Sequence, residues 1–516
     1  MDVSRLRAAL AGAVAAGLGL AVAGVLPLLL GGRSPLLSIG DLVVDGSPPW
    51  LKDWAIDTFG TADKAVLFWS MVVTVVALGA VAGLLARRSF IGALVVIDVA
   101  AIGAVLAVLQ DPLTEPVPAI VGIAVGVVVA SLALWGLLRL ATPVTDEAAA
   151  EVWAAPEDGA QPLDPVTRRR FLVAAGATAG AAVITGVIGS RLSTRLVANA
   201  DRADIVIPMA GDPAGPVPAG LAPAPTPLIV PNGDFYRIDT ALSTPMVPIA
   251  DWRLEVTGLV DNPYTLTYEE LLGLPMIERH VTIACVSNEV GGGLVGNATW
   301  QGVPLARILE RAGVQPEGTQ IVGRSVDDFT VGFPTELAFD GRDAMVAIAM
   351  NGEPLPPDHG FPARLIVPGL YGYVSATKWL AEIELATWDG FDAYWIPRGW
   401  AKEAPIKTQS RVDRPGGGAE VAAGRYAFAG VAWAPTRGID RVEVRLDGGG
   451  WVDCDLSESM GADAWRQWSV ELDVAPGDHV VEVRATDGDG VTQAAEAVPP
   501  RPDGAEGHHT VRFTAA

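Results

Sequence analysis

Five long apolar stretches dominate the first 190 residues, at about 6–30, 65–86, 90–109, 118–138 and 171–188. Each reaches or approaches the ~20 residues needed to cross a bilayer. From about residue 226 the pattern changes to short β-prone runs, Pro/Gly turns and a few helical segments, which predicts an α+β domain. A strand is expected over 252–259, closed by Asp261-Asn262-Pro263, then a short helix over 268–272 and a helix over 304–312 that stops at Gly313. The runs 329–334 and 345–350 follow, the second a strand ending in the turn Asn351-Gly352. Beyond about residue 404, strands at 425–433, 442–446, 468–473 and 479–487, separated by Gly/Asp/Pro turns, predict a small β-sandwich. The expected organisation is a four-helix transmembrane region (1–141), a loop (142–170), a fifth transmembrane helix (171–190), a Pro/Ala/Gly-rich tether (191–225), an α+β domain (226–403) and the sandwich (404–516).

Composition supports this division. Half of the 516 residues are hydrophobic, yet the net charge is −23. The two facts conflict for one soluble globule and agree for a membrane region joined to an acidic soluble one. A pI near 4.6 speaks against nucleic-acid binding. With only Cys285 and Cys454, no disulfide framework or cysteine-based zinc site is possible. Cys454 reads as a small buried residue, with an interchain disulfide as the alternative.

Flanking charges orient the spans. Arg5 and Arg7 put the N-terminus inside, and the Asp-rich loop 31–64 falls outside. Arg87 and Arg88 are inside, the turn 111–117 outside, and Arg139 with Arg168-Arg169-Arg170 inside again. The C-terminal half is then extracytoplasmic on a multi-pass membrane protein, with Arg191 and Arg195 as a minor dissent. Thr167-Arg168-Arg169-Arg170-Phe171-Leu172 matches a twin-arginine export motif, or is a plain positive-inside cluster. The export reading implies a C-terminal half folded around a cofactor before translocation. Ala198-Asn199-Ala200 has the form of a cleavage site, although four upstream spans favour an uncleaved anchor. All five histidines lie at or beyond His280, so the spans hold no axial ligands and no haem is expected. Asp98, inside the third span, is either functional or part of a helix–helix hydrogen bond.

The stretch from His280 to Gly293 draws the chemistry together. His280-Val281-Thr282-Ile283-Ala284 reads as a strand that runs out at Cys285, and Gly291-Gly292-Gly293 let the backbone approach a ligand closely. A cysteine there is a soft metal ligand or simply a small buried residue.

Downstream context resembles the molybdopterin-binding domain of the sulfite oxidase family. The resemblance rests on Cys285-x-x-Asn288, Trp300-x-Gly302-Val303-Pro304, Asn351-Gly352-x-Pro354-Leu355, His359-Gly360-Phe361-Pro362-x-Arg364 and Lys378-Trp379-Leu380, in this order over about 226–400. The tail resembles that family's immunoglobulin-like dimerisation domain, which implies a homodimer. The resemblance further implies a molybdenum cofactor ligated by Cys285, with Asn288 on the same loop. His359, Arg364 and Lys378 match the positions that anchor the pterin phosphate, with Ser375 and Thr377 as nearby donors. In an apolar strand, Arg364 needs a partner, either this anion or a salt bridge. Tyr236, Arg237 and Asp239 lie on a loop that the family places over the cofactor, unless Arg237 is a surface residue. Asp327 and Asp328 offer acceptors to the pterin edge. Tyr394, Trp395, Arg398 and Trp400 either wall a substrate funnel or pack as core.

Animal and plant sulfite oxidases follow the Cys-x-x-Asn element with two arginines that make an anion pocket. Glu289 and Val290 stand there in this chain. That departure disfavours sulfite, unless Arg237 or Arg398 substitutes, and favours reduction of a neutral S- or N-oxide, the simpler layout of the family's methionine-sulfoxide reductase branch. Electrons must pass to or from a separate donor or acceptor, a quinone-linked membrane protein or an exported cytochrome. A non-catalytic ligand- or partner-binding membrane protein is the alternative, against which the intact Cys285, His359, Arg364 and Lys378 count.

Overall fold

The computed structural model describes residues 5–30, 32–59, 62–141, 165–193 and 202–516. The Ala198–Ala200 motif and most of the loop 142–170 lie outside them. The chain divides into two compact units, Met1–Asn199 with Ala241–Ser243, and Ala200–Thr240 with Thr244–Ala516.

The first unit is helical: α1 (Arg5–Leu29), α2 (Pro35–Gly46), α3 (Pro49–Phe59), α4 (Asp63–Ala86), α5 (Phe90–Gln110), α6 (Pro116–Ala141) and α7 (Pro165–Ser193). Among the described residues, α1, α4, α5 and α6 are long and apolar enough to cross a membrane. The fifth expected span forms the helix α7. The segment expected as an outside loop instead carries α2 and α3. Packing is organised by α1, whose Gly12 faces Gly79 and Gly83 of α4 and whose Gly19 faces Gly126 and Ala130 of α6. No side chain fits at these crossings, which is how small residues let apolar helices approach without a hydrophobic gradient. Arg33 pairs with Asp41 (2.8 Å) and Asp111 (3.0 Å), and Ser38 meets Thr114 at 2.9 Å. The two segments expected outside, 31–64 and 111–117, thus meet at one end of the bundle.

The second unit begins with two sheets. Its strands are β1 (Arg253–Gly258), β2 (Tyr264–Thr267), β3 (Ile277–Ala284), β4 (Val295–Pro304), β5 (Gln320–Ser325), β6 (Thr330–Pro334), β7 (Met345–Met350), β8 (Glu353–Pro354), β9 (Arg364–Ile366) and β10 (Leu380–Ala386). One sheet runs β2-β1-β10-β5-β6; the other runs β3-β4-β7-β8, with β9 also on β7. Helix α8 (Tyr268–Leu272) starts with a capping box between Thr267 and Glu270, and α9 (Leu305–Ala312) ends at Gly313 with φ +68°. All six residues of β7 are buried, as a central strand with both faces covered requires.

The tail adds β11 (Gln409–Arg414), β12 (Glu420–Val421), β13 (Gly424–Trp433), β14 (Ile439–Leu446), β15 (Val452–Asp453), β16 (Asp455–Leu456), β17 (Arg466–Val474), β18 (Gly477–Asp487) and β19 (His509–Ala515). The sheets β11-β13-β17-β16 and β12-β19-β18-β14-β15 enclose one core around Phe428, Trp468, Val444, Val483 and Phe513. The four expected strands are present, each slightly longer than its apolar run.

The stretch expected as a tether differs from that expectation in its later part. Gly211 donates to Met276 O (3.0 Å), Glu278 donates to Asp212 O (2.9 Å), and the Gln301 amide donates to Pro208 O (2.6 Å). His280 Nε2 reaches Gly215 O at 2.9 Å. The outer edge of β3 leaves peptide groups unpaired, and this Pro-rich strap answers them.

Candidate active site

Cys285 follows β3 directly, and its loop is closed by its own backbone. Cys285 N donates to Leu294 O (2.9 Å), Asn288 N donates to Cys285 O (3.1 Å), and Asn288 Oδ1 accepts from Leu294 N (2.7 Å). Asn288 therefore shapes the loop with the amide expected to meet a cofactor. Cys285 Sγ lies 2.9 Å from Ser287 Oγ. Burial pushes the thiol pKa up, and the Ser287 hydroxyl and amide oppose it. The β-sandwich braces this loop from outside: Arg411 Nη1 donates to Gly292 O (2.9 Å), and the His509 ring lies against Gly291, whose φ is +78°. His509 Nδ1 in turn accepts from Val412 N at 2.9 Å.

A second group of residues forms a cationic floor. Arg364 on β9 is only 4% exposed, yet it lacks a carboxylate partner among the described residues. Its Nη1 donates to His359 O (3.0 Å), its guanidinium lies 5.0 Å from the Trp300 ring centroid, and its Nε has no partner among the described residues. Burial lowers its pKa to about 10. Thr377 Oγ1 is likewise buried without a partner among the described residues. Lys378 Nζ bonds Asp239 (2.9 Å) and Asp358 O (3.2 Å), and burial brings its pKa to about 8. His359 Nε2 lies 2.9 Å from Asn232 O, so this nitrogen carries the proton. Burial, with Arg364 and Lys378 nearby, lowers its pKa to about 4, and the ring is neutral near pH 7.

Tyr236 links the two groups. Burial raises its phenol pKa strongly, and the hydroxyl feels both the Cys285 thiol and the Arg364 guanidinium. Phe235 holds it, stacked on Tyr236 (5.3 Å) and edge-on to Trp300 (5.9 Å) and His359 (5.6 Å). Arg237 turns to Asp239 (3.2 Å) and Asp358 (2.9 Å). Ser375 is buried, but its hydroxyl donates to Tyr371 O (3.0 Å) within the short helix α10 (Gly372–Ser375), so that bond occupies its proton. Asp328 takes a left-handed turn position, φ +62°, between β5 and β6. Its neighbour Asp327 is buried, with a carboxyl pushed up by burial and by Asp239.

The aromatic cluster forms as expected, with half-buried rings. The Arg398 guanidinium lies 3.7 Å from the Tyr394 centroid; Trp395 meets Tyr394 at 5.2 Å and Trp400 at 6.5 Å. Tyr373 of α10 joins Trp400 at 5.9 Å, and Gly372 sits beside Ala284 O, next to Cys285. Sequence reasoning missed Ser287, Asp358, Tyr371, Arg411 and His509. Ser287 stands two residues from the cysteine, which is a usable signal. The two sandwich residues lie more than a hundred positions away and carry none.

The family model described as "Oxidoreductase molybdopterin binding domain" matches residues 241–395. The chain is 35% identical over 176 residues to the uncharacterized oxidoreductase YuiH of Bacillus subtilis, covering 33% of this chain and 85% of that protein. It is 28% identical over 321 residues to human mitochondrial sulfite oxidase (53% of this chain, 58% of that one). It is 32% identical over 294 residues to a nitrate reductase of Hordeum vulgare (44% of this chain, 33% of that one). The match thus spans a third to just over half the length of those two larger relatives. Among solved structures, the sulfane dehydrogenase SoxCD of Paracoccus pantotrophus aligns with a TM-score of 0.50 and 26% identity, over 55% of this chain and 80% of that one.

Proposed function

Because the chain belongs to the sulfite oxidase family of molybdopterin-binding oxidoreductases, we propose that it is a membrane-anchored enzyme that reduces a small neutral S- or N-oxide. The observation that carries the cofactor part is Arg364, a buried guanidinium whose Nε is unanswered among the described residues. A phosphate-bearing ligand satisfies that guanidinium, and its charge offsets the cost of burying the arginine. The residues present therefore fit the molybdenum cofactor. Cys285 would ligate the metal, and Arg364, Thr377 and Lys378 would hold the anionic end. When bound, the group supplies two-electron oxygen-atom transfer.

The chain's own residues then bind, orient and insulate. The neutral His359 keeps Asn232 in place and adds no charge of its own to the floor. Asp239 balances Lys378, so Arg364 remains the cation without a carboxylate partner among the described residues. The Tyr236 phenol stays protonated between thiol and guanidinium, able to donate to substrate or cofactor oxygen.

Three features support a neutral substrate. Glu289 replaces a cation beside Cys285 and is exposed. Arg237 is matched by two carboxylates, and Arg398 lies flat on Tyr394 while donating to that residue's carbonyl. Neither arginine is spare for a sulfur oxyanion. Oxidation of such an anion is the second reading, favoured by the names of the human and Paracoccus relatives. In the full reading, five spans place the catalytic domain on the outer face after twin-arginine export, the immunoglobulin-like tail pairs two copies, and a quinone-linked membrane protein or exported cytochrome exchanges electrons.

The test is molybdenum content and turnover of purified protein on a panel of S- and N-oxides, with sulfite oxidation alongside. Oxide reduction that is lost in Cys285→Ala is expected. Sulfite oxidation without oxide reduction would replace the first reading by the second, and protein without molybdenum from its native host would refute both.

A further inference from the structure

Asp98 lies about 12 Å along the axis of α5 from Phe90 and about 18 Å from Gln110, too deep for its short side chain to reach either end. Of its two sequence readings, a hydrogen bond to a neighbouring helix is not found among the described residues. The side chain is exposed and makes no hydrogen bond or ion pair among the described residues. It sits on a stripe with Ile91, Val95, Ile102 and Leu106, at helical spacing and each more than half exposed. A carboxylate facing hydrocarbon is costly, and polar groups within spans ordinarily face protein partners.

We propose that this face of α5 docks a separate integral membrane protein, through a transmembrane helix that presents a Lys, Arg or His at the depth of Asp98. The inference rests on the membrane-anchored reading above. Lipid tails offer the carboxylate no donor. A second copy of this chain offers none either: a two-fold contact through this stripe sets Asp98 against Asp98. The chain's basic residues near its spans stand at helix ends, as Arg5, Arg7, Lys64, Arg87, Arg88 and Arg139 do, and its first histidine is His280. The matching cation must come from another polypeptide. An electron-exchange partner is what the proposed reaction needs, since the spans hold no histidine to ligate a haem.

The test uses the full chain in its native membranes, with a photoreactive benzoylphenylalanine at Val95 or Ile102, and at Leu132 on α6 as the control face. The expected result is an adduct from the α5 positions with one integral membrane protein that has a mid-span cation. Its yield should fall about tenfold in Asp98→Leu and Asp98→Asn, the loss of one charged contact between helices. Asp98→Lys combined with an acidic residue at the partner's cation should restore it. Adducts only with lipid, with quinone or with a second copy, adducts indifferent to Asp98, or no adduct at all would each overturn the proposal. Carbonate extraction separates the two readings. A chain released from the membrane sinks the anchor and the docking face together, whereas a retained chain without an Asp98-dependent adduct sinks the docking face alone.

Discussion

The Sγ of Cys285 and the Oγ of Ser287 lie 2.9 Å apart at the end of β3. If Cys285 ligates the metal as proposed, its thiolate would have no proton to give, and Ser287 would be the donor. Hydrogen bonds to a ligand sulfur withdraw electron density from the metal. Ser287→Ala should keep near-stoichiometric molybdenum, lower the metal's reduction potential and shift its paramagnetic resonance spectrum; Ser287→Thr should keep both. An unchanged spectrum in Ser287→Ala would refute the contact.

Arg364 should give opposite signs for stability and for loading. Arg364→Met removes a buried charge without a carboxylate partner, and is expected to raise the stability of the cofactor-free protein by roughly 1–3 kcal/mol. The same change should abolish cofactor retention, because the anion loses its buried cation. Denaturant titration of the cofactor-free form and metal analysis of the purified form check the two halves. A cofactor-free protein that is destabilised would mean that the bond to His359 O and the contact with Trp300 outweigh the cost of the buried charge.

His359 makes stability depend on pH. Its pKa is about 4 in the folded protein against an ordinary 6.5, so the unfolded chain takes up a proton first as pH falls. Its contribution is complete above about pH 6.5, declines through the interval and is gone near pH 4, a loss of roughly 3 kcal/mol. Unfolding of cofactor-free protein across that range should show a shallower decline in His359→Gln than in wild type. Parallel curves would place the proton elsewhere.

Gly291→Ala should be severe. The backbone there has φ +78°, and a side chain would collide with the His509 ring. A loss of about 2–4 kcal/mol and of cofactor binding is expected. His509→Ala in the same chain should recover only part of it, because the positive φ remains. Thermal melts of the single and double variants beside the wild type decide this.

The core strands were legible because their apolar, β-prone runs are short and bounded by turn residues. The run Met345–Met350 is apolar throughout and is a strand with every residue buried. The Cys285 loop was legible from its chemistry, a cysteine at a strand end before three glycines. The role of Asn288 was less so, since an amide can serve a ligand or its own loop, and only the distance to Leu294 N separates these. Ser375 was hard to read for a similar reason: its hydroxyl donates to Tyr371 O in the turn that carries it, which its neighbours in sequence do not reveal. The bracing by Arg411 and His509 depends on contacts between segments far apart in sequence, for which no local pattern exists. The tether was misread because Pro/Ala/Gly-rich composition reports a lack of regular structure and not a lack of contacts.

That strap has a consequence for how the protein behaves in company. β3 is the outermost strand of its sheet, and a bare edge is a template on which another chain can add itself. Here the backbone near Gly211–Gly215 covers the start of β3, and Asp463 O, accepting from Thr282 N at 2.9 Å, covers its end. The strand that leads into Cys285 is thereby closed to intermolecular pairing, and crowded copies have that much less backbone through which to polymerise.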